Sequence, residues 1–188
     1  MKSLNKRDIF TLSNFISFVR ILLFFPIYYT LSNLNAGASF RYWTLALFAF
    51  AYLTDITDGF LARKLNQVTE MGKVIDPLAD KILVALIAIQ LFIQGDIPEL
   101  FFSVIIARDI LIFLGGVFVS KKLGYVLPSN YWGKATVVSI GLFFIIVVLN
   151  GKVEMPVFYY FVEYLSIFMS FLSVIIYAHR AYKEIKEA

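Results

Sequence analysis

Long apolar stretches, separated by short polar segments, run along most of the 188-residue chain. A helix needs about 20 mostly apolar residues to cross the hydrocarbon core of a membrane. A spanning helix also satisfies its backbone hydrogen bonds within itself. Six stretches approach this length or form the apolar part of a longer helix: Leu12–Leu31, Tyr42–Thr57, Leu78–Phe92, Leu100–Val119, Ala135–Leu149 and Pro156–Ala178. The pattern predicts an all-α integral membrane protein in which six transmembrane helices form a bundle.

The composition agrees with a membrane protein and excludes several classes of function. Hydrophobic residues make up 60% of the chain, charged residues only 16%, and the mean hydropathy is +0.80. The chain has no cysteine, which excludes disulfide scaffolds, thiol catalysis and Cys-ligated zinc. Because the chain has a single histidine, His179, a cluster of His metal ligands is excluded as well. No repeat or linker interrupts the pattern, so we expect one domain over residues 1–188.

Basic residues outside the six stretches are distributed very unequally. Twelve Lys and Arg residues precede the first stretch, follow the sixth, or lie in the connections after the second and the fourth. The other connections contain only two, Arg41 and Lys152. Lys and Arg accumulate on the cytoplasmic side of membrane proteins. This predicts a multi-pass protein of the cytoplasmic membrane with both termini in the cytoplasm. The net charge of +4 then reflects topology and attraction to anionic membrane lipids, and we expect no nucleic-acid partner.

Four carboxylates lie where the pattern predicts the cytoplasmic ends of two helices. Asp55 and Asp58 end the second stretch, and Asp76 and Asp80 begin the third. Spacings of three and four residues place each pair on one face of a helix. Charged groups in membrane helices are costly, which makes them candidates for function. Four carboxylates on neighbouring helices suit hard divalent cations, so the pattern indicates a site for two Mg²⁺ or Mn²⁺ ions.

The alternative is that these carboxylates are solvated by lipid headgroups and paired with nearby basic residues, which are Arg63, Lys64 and Lys81. Small residues close to the carboxylates have two interpretations as well. Gly59, Ala62 and Gly72 leave space for a ligand, or they allow close packing between helices.

From residue 55 to residue 80 the chain carries the pattern Asp-x-x-Asp-Gly-x-x-Ala-Arg, eight residues, Gly, three residues, Asp, three residues, Asp. This pattern resembles, at all eight fixed positions, the signature of the CDP-alcohol phosphotransferases. These proteins, also called CDP-alcohol phosphatidyltransferases, are membrane enzymes of phospholipid synthesis. Their six-helix arrangement is similar to the layout predicted for the whole chain.

The resemblance implies a role for each matching position. Asp55, Asp58 and Asp76 are expected to bind two metal ions beneath the pyrophosphate of a CDP-linked lipid. Asp80 is expected to be a further ligand and the general base that takes a proton from the attacking hydroxyl. The active site then lies on the cytoplasmic side of the membrane.

Other matching residues are expected to bind the CDP-lipid together with Asp55 and Asp58; they are Gly59, Ala62, Arg63 and Gly72. Arg20, within the first predicted helix, is expected either to contact the nucleotide phosphates or to extend towards the membrane surface.

Two short sequence motifs resemble one branch of the family. The run Asp76-Pro77-Leu78-Ala79-Asp80-Lys81 and the opening Leu12-Ser13-Asn14 resemble the phosphatidylglycerophosphate synthases. This resemblance implies transfer of the phosphatidyl group from CDP-diacylglycerol to a hydroxyl of glycerol 3-phosphate, with release of CMP. A homodimer is common in the family, so a second copy of this chain is a candidate partner.

Two basic residues outside the signature are candidates for binding the acceptor's phosphate. Arg108 lies deep in the fourth predicted helix, and Lys134 begins the fifth. Arg108 could instead form an ion pair that serves packing alone, and Lys134 could be an ordinary cytoplasmic lysine. The pair Arg108-Asp109 replaces the Arg-Glu of many phosphatidylglycerophosphate synthases and resembles the cardiolipin synthases that use CDP-diacylglycerol. A cardiolipin synthase, or a family member with another acceptor, is therefore the alternative.

A divalent-cation transporter is the alternative from a different class, because buried carboxylates in a helix bundle also suit ion transport. The acidic residues cluster at one end of the predicted bundle, which favours the enzyme. Two further expectations concern packing: the pair Gly115-Gly116 should allow close helix contact, and Glu163 should lie near the membrane interface.

Overall fold

The computed structural model describes residue 19 and residues 22–64, 72–125 and 130–187, and for residues 55, 57–64 and 72–80 it describes the backbone alone. All regular structure in this part of the chain is helical, which confirms the all-α prediction there. Its helices are α1 Phe24–Ser32, α2 Ala38–Lys64, α3 Gly72–Ile93, α4 Glu99–Leu123, α5 Tyr131–Val148, α6 Gly151–Glu154 and α7 Pro156–Glu187.

Three of these helices, α4, α5 and α7, are long and apolar enough to cross a membrane. They contain most of the last three predicted spans, although α5 begins at Tyr131, four residues earlier than expected. Nine of the 20 residues of the first predicted span, Leu12–Leu31, lie outside the described residues. The chain is thus a helical membrane protein, and the full set of six spans stays a prediction.

Helices α2 and α3 continue beyond the apolar stretches that predicted them. α2 has 27 residues and extends to Lys64, while α3 has 22 residues and begins at Gly72. The apolar part of α3 is the shorter segment Lys81–Ile93. The eight fixed positions of the acidic signature therefore all lie on the helical backbone of α2 or α3.

The described residues divide into two compact units, the first ending at Gln94 and the second beginning at Gly95. In the first unit, α1 packs against both α2 and α3. Ile27 and Leu31 of α1 are fully buried. Gln94 donates a hydrogen bond from Nε2 to the Leu31 carbonyl at 3.2 Å, and Gln90 donates from Nε2 to Ser32 Oγ at 3.0 Å. These amide contacts satisfy polar groups that would otherwise be costly in an apolar setting.

In the second unit, α7 packs against α4 and α5. Three buried rings form the centre of this contact, with the Phe101 and Phe143 centroids 4.2 Å apart and those of Phe143 and Tyr159 5.0 Å apart. Tilted aromatic pairs at such distances are favourable beyond their buried area. The aromatic cluster therefore joins one residue from each of the three long helices.

The glycine pair of α4 lies against α7, as expected. A Cβ atom at Gly116 would lie 3.2 Å from the Tyr177 hydroxyl oxygen, and one at Gly115 would lie 3.5 Å from Tyr177 Cε1. Gly124 then ends α4 in the left-handed conformation, at φ 79°. The glycine pair thus leaves room for the Tyr177 side chain, and close approach of the two helix backbones stays a prediction.

Just beyond α4, the Tyr125 hydroxyl donates a hydrogen bond to Glu184 Oε2 at 2.9 Å. This bond favours the neutral phenol and raises the pKa of Tyr125. The contact connects the end of α4 with the polar end of α7.

A tight turn joins α5 to α7 and includes the four-residue helix α6, which the apolar pattern did not predict. Asn150 has a positive φ of 61°. A Cβ atom at Gly151 would lie 2.2 Å from Ile146 Cγ2 and 2.8 Å from the Ile146 carbonyl oxygen. The turn therefore requires glycine at position 151 because no side chain fits there.

Candidate functional site

The structure places all four aspartates of the signature on helical backbone. Asp55 and Asp58 lie towards the end of α2, and Asp76 and Asp80 lie near the start of α3. On an α-helix, residues three or four apart share one face. The placement of both pairs on helices, predicted from the apolar stretches, is confirmed, while metal binding stays a prediction.

The chemistry of this donor set fits a divalent cation. Where side chains are described, no group of three or more His, Asp or Glu residues is arranged to hold a metal ion. Aspartate carboxylates are hard oxygen ligands of the kind that Mg²⁺ and Mn²⁺ prefer. The signature aspartates stay the metal ligands that the sequence predicts.

The residues predicted to bind the CDP-lipid lie close to these aspartates in the sequence. Gly59, Ala62 and Arg63 lie in the final turns of α2, and Gly72 is the first residue of α3. Arg20 lies outside the described residues.

Arg108 is the best-defined charged group of the second unit. It lies in α4, and only 6% of the residue is exposed. Its guanidinium donates from Nε to Ser173 Oγ of α7 at 3.2 Å and from Nη2 to the Gly133 carbonyl of α5 at 3.3 Å. Its Nη1 forms an ion pair with Asp109, the next residue of α4. Groups from three helices therefore hold one guanidinium.

Local structure at the start of α5 directs the Gly133 carbonyl towards Arg108. Asn130 caps the helix, and its side-chain Oδ1 accepts a hydrogen bond from the Gly133 backbone N–H at 2.7 Å. An asparagine at this position satisfies an N–H group that lacks a partner inside the helix. A Cβ atom at position 133 would lie 3.1 Å from that Oδ1 and 3.7 Å from Arg108 Nη2. Glycine therefore allows both the cap and the approach of the guanidinium.

The contacts of Arg108 leave part of its hydrogen-bonding capacity available. A guanidinium carries five N–H donors. Described residues accept three of them, through one bond from each nitrogen. One donor on each terminal nitrogen therefore has no acceptor among the described residues. The ion pair with Asp109 that we considered from the sequence is present, and it does not use all the donors of Arg108.

Lys134, the other predicted acceptor residue, follows Gly133 directly in the first turn of α5, and its side chain is exposed. The backbone thus brings Lys134 next to the carbonyl that Arg108 contacts. Its exposure distinguishes it from Arg108, because an exposed ammonium is solvated and interacts more weakly with an anion.

The sequence did not identify Ser173 as a partner of Arg108. Ser173 belongs to a stripe of fully or almost fully buried serines on α7 that also contains Ser166 and Ser170. Their spacing of four and three residues in an apolar helix is a detectable signal. It also occurs where small residues serve helix packing alone, so it does not identify the arginine.

Glu163 starts the same stripe and is only 4% exposed. Its Oε2 atom and Ser166 Oγ, one turn later, have no hydrogen-bond partner among the described residues. The sequence suggested a position near the membrane interface and gave no sign of this burial within the protein.

The family model described as CDP-alcohol phosphatidyltransferase matches residues 10–177. A protein of Aquifex aeolicus named CDP-diacylglycerol--glycerol-3-phosphate 3-phosphatidyltransferase is 38% identical over 131 residues, which cover 69% of this chain and 70% of the relative. A protein of the same name from Mycoplasma pneumoniae is 32% identical over 152 residues, 74% of this chain and 66% of the relative.

A relative with a different name also matches. The cardiolipin synthase (CMP-forming) / mitochondrial hydrolase fusion protein of Schizosaccharomyces pombe is 36% identical over 109 residues, which cover 57% of this chain and 17% of the fusion protein. The family match spans most of the chain and includes both the acidic signature and Arg108. The chain belongs to the CDP-alcohol phosphatidyltransferase family.

Proposed function

We propose that this protein transfers the phosphatidyl group of CDP-diacylglycerol to a hydroxyl of glycerol 3-phosphate and releases CMP. The observation that carries the proposal is the 38% identity, over 69% of the chain, to a relative named for this transfer. The complete acidic signature on α2 and α3 supports the same activity. Membership of a transferase family favours this function over a divalent-cation transporter.

The charges near Arg108 support a phosphorylated acceptor. Glycerol 3-phosphate carries up to two negative charges, whereas the phosphodiester of phosphatidylglycerol carries one. Two N–H donors of Arg108 have no acceptor among the described residues, and Lys134 follows its contact residue Gly133 in the chain. Charge-assisted hydrogen bonds from an arginine and a lysine suit a phosphate group. The names of the relatives that match most of the chain favour glycerol 3-phosphate over phosphatidylglycerol, the acceptor of a cardiolipin synthase.

In the proposed reaction, the acceptor hydroxyl attacks the β-phosphorus of CDP-diacylglycerol directly. The new oxygen–phosphorus bond forms as the bond to CMP breaks, and Asp80 takes the proton of the attacking hydroxyl. Asp55, Asp58 and Asp76, with Asp80, hold the metal ions. Bound there, Mg²⁺ or Mn²⁺ would polarise the phosphoryl oxygens and stabilise the departing CMP. Gly59 and Ala62 leave space for the nucleotide, and Arg63 donates to its phosphates.

The proposal includes six transmembrane helices, both termini in the cytoplasm and a cytoplasmic active site. The unequal distribution of Lys and Arg supports this topology. Because the chain has no cysteine, single cysteines can report the two sides of the membrane. A cysteine at Lys152 should react with an impermeant thiol reagent in intact cells, and one at Lys186 should react only after lysis. The reverse pattern would contradict the orientation.

The experiment that tests the activity is an acceptor panel. Purified protein in mixed micelles receives CDP-diacylglycerol and, in separate reactions, glycerol 3-phosphate, phosphatidylglycerol, serine or inositol phosphate. CMP release is measured, and the lipid product is identified by mass spectrometry. We expect CMP release with glycerol 3-phosphate and phosphatidylglycerophosphate as the product. Turnover with phosphatidylglycerol alone, giving cardiolipin, would replace the proposal with its alternative.

A further inference from the structure

The hydroxyl of Ser173 has a defined direction. It donates to the Ser170 carbonyl of its own helix at 2.9 Å, and its oxygen accepts the Nε–H of Arg108 at 3.2 Å. Ser173 is 1% exposed, so water does not compete for either bond. The hydroxyl hydrogen is thus engaged within α7, which leaves the oxygen as an acceptor for the arginine.

This bond determines which edge of the guanidinium can meet an anion. An arginine binds phosphate through paired donors, either Nε with one terminal nitrogen or the two terminal nitrogens together. Ser173 occupies Nε, which closes the first edge. Each terminal nitrogen donates one bond to a described residue and keeps one donor that no described residue accepts. The donors left for an anion in this part of the chain are therefore on Nη1 and Nη2.

We propose that Ser173 is a positioning residue for the acceptor site: by accepting from Nε it orients Arg108 so that its two terminal nitrogens bind the phosphomonoester of the acceptor. This inference rests on the proposed function, because it takes glycerol 3-phosphate as the acceptor. Ser173 acts through Arg108 and has no direct contact with the substrate.

Packing alone does not account for Ser173, as a comparison within α7 shows. Ser170 is 0% exposed, and its hydroxyl donates to the Ser166 carbonyl at 2.7 Å, which is the same kind of bond within the helix. Ser173 differs from Ser170 in its additional contact with Arg108. Ser170 therefore provides a matched control of the same residue type, burial and helix.

The test compares Ser173→Ala with Ser170→Ala in the purified full-length protein. For each variant, KM values for glycerol 3-phosphate and CDP-diacylglycerol, kcat and the thermal unfolding midpoint are measured. We expect Ser173→Ala to raise the KM for glycerol 3-phosphate about three- to tenfold, the effect of losing one hydrogen bond. Its KM for CDP-diacylglycerol should stay within twofold of wild type. Ser170→Ala should leave both KM values unchanged, and it should lower the unfolding midpoint by about as much as Ser173→Ala does.

The outcomes separate this inference from the proposed function. If wild-type protein transfers to glycerol 3-phosphate but the two alanine variants have equal KM values for it, the positioning role is wrong and the activity stands. If wild-type protein releases no CMP with glycerol 3-phosphate, the proposed function fails and the inference fails with it. A Ser173→Ala variant whose KM rises for both substrates would indicate a general structural role and would also contradict the inference.

Discussion

The two halves of the chain carry their candidate chemistry in different ways. In the first unit, the candidates are four carboxylates within 26 residues, placed in pairs by the local geometry of α2 and α3. In the second unit, the candidate is one buried arginine whose partners come from α5 and α7 as well as its own helix. The first arrangement depends on spacing along a helix, and the second depends on how three helices pack.

This difference suggests a division of labour between donor and acceptor chemistry. A group of carboxylates can bind cations, which in turn bind a pyrophosphate, whereas a fixed arginine binds an anion directly. Variants in the first unit should therefore affect catalysis and the CDP-lipid. Variants around Arg108 should affect the acceptor.

The largest effect is expected from removing divalent cations, which tests the first unit as a whole. Four carboxylates brought together as proposed would repel one another without counter-charge, and the proposed reaction depends on the cations they would hold. EDTA should abolish CMP release, and excess Mg²⁺ or Mn²⁺ should restore it. Full turnover in the presence of EDTA would exclude the two-metal interpretation.

Replacing the proposed base should have the next largest effect. Asp80→Asn keeps the size of the side chain and one oxygen but removes the proton acceptor. It should lower kcat by about 10²- to 10⁴-fold, the usual contribution of a general base. CDP-diacylglycerol binding, measured by equilibrium dialysis, should persist. Glu99→Gln, at an exposed acid in the first turn of α4, is the control and should retain wild-type kcat.

A third prediction separates packing from chemistry within the second unit. Gly151→Ala places a Cβ atom 2.2 Å from Ile146 Cγ2, so the turn must shift. We expect a loss of about 1–3 kcal/mol in the free energy of unfolding, as for other overpacked sites. Gly141→Ala, where a Cβ atom meets nothing within 4 Å, should unfold like wild type. KM values for both substrates should be unchanged in the folded fraction of either variant.

The smallest effect is expected at Lys134, because its exposed ammonium is screened by water and salt. Lys134→Gln should raise the KM for glycerol 3-phosphate by about two- to fivefold at low ionic strength, and by less in 0.5 M salt. Steady-state kinetics at both salt concentrations check this prediction. A larger effect than that of Arg108→Gln would mean that Lys134, and not Arg108, is the main phosphate ligand.

The sequence predicted the helical placement of the first unit's candidates but not the contacts of Arg108 in the second unit, for a physical reason. A spacing of three or four residues already determines that Asp55 and Asp58, or Asp76 and Asp80, share a helix face. Ser173 lies 65 residues from Arg108, and no local pattern identifies which buried serine meets the arginine.

Prediction of the membrane helices from the sequence has the same limit, because it depends on local composition. Hydropathy predicted the regions of α4, α5 and α7 because burial in lipid depends on local composition. It did not predict the short helix α6, whose turn depends on the fit of Gly151 against Ile146. That α2 and α3 extend beyond their short apolar stretches was predicted and is confirmed, but hydropathy did not give the helix ends at Lys64 and Gly72.

The division of labour is tested most directly by comparing two arginine variants, Arg63→Gln of the first unit and Arg108→Gln of the second. KM values for CDP-diacylglycerol and glycerol 3-phosphate are measured for both, with unfolding midpoints alongside, because Arg108→Gln leaves Asp109 without its ion pair. We predict that Arg108→Gln raises the KM for glycerol 3-phosphate about ten- to a hundredfold and leaves that for CDP-diacylglycerol nearly unchanged. Arg63→Gln should show the opposite selectivity. If both variants raise the KM for the same substrate, the two units do not divide donor and acceptor binding.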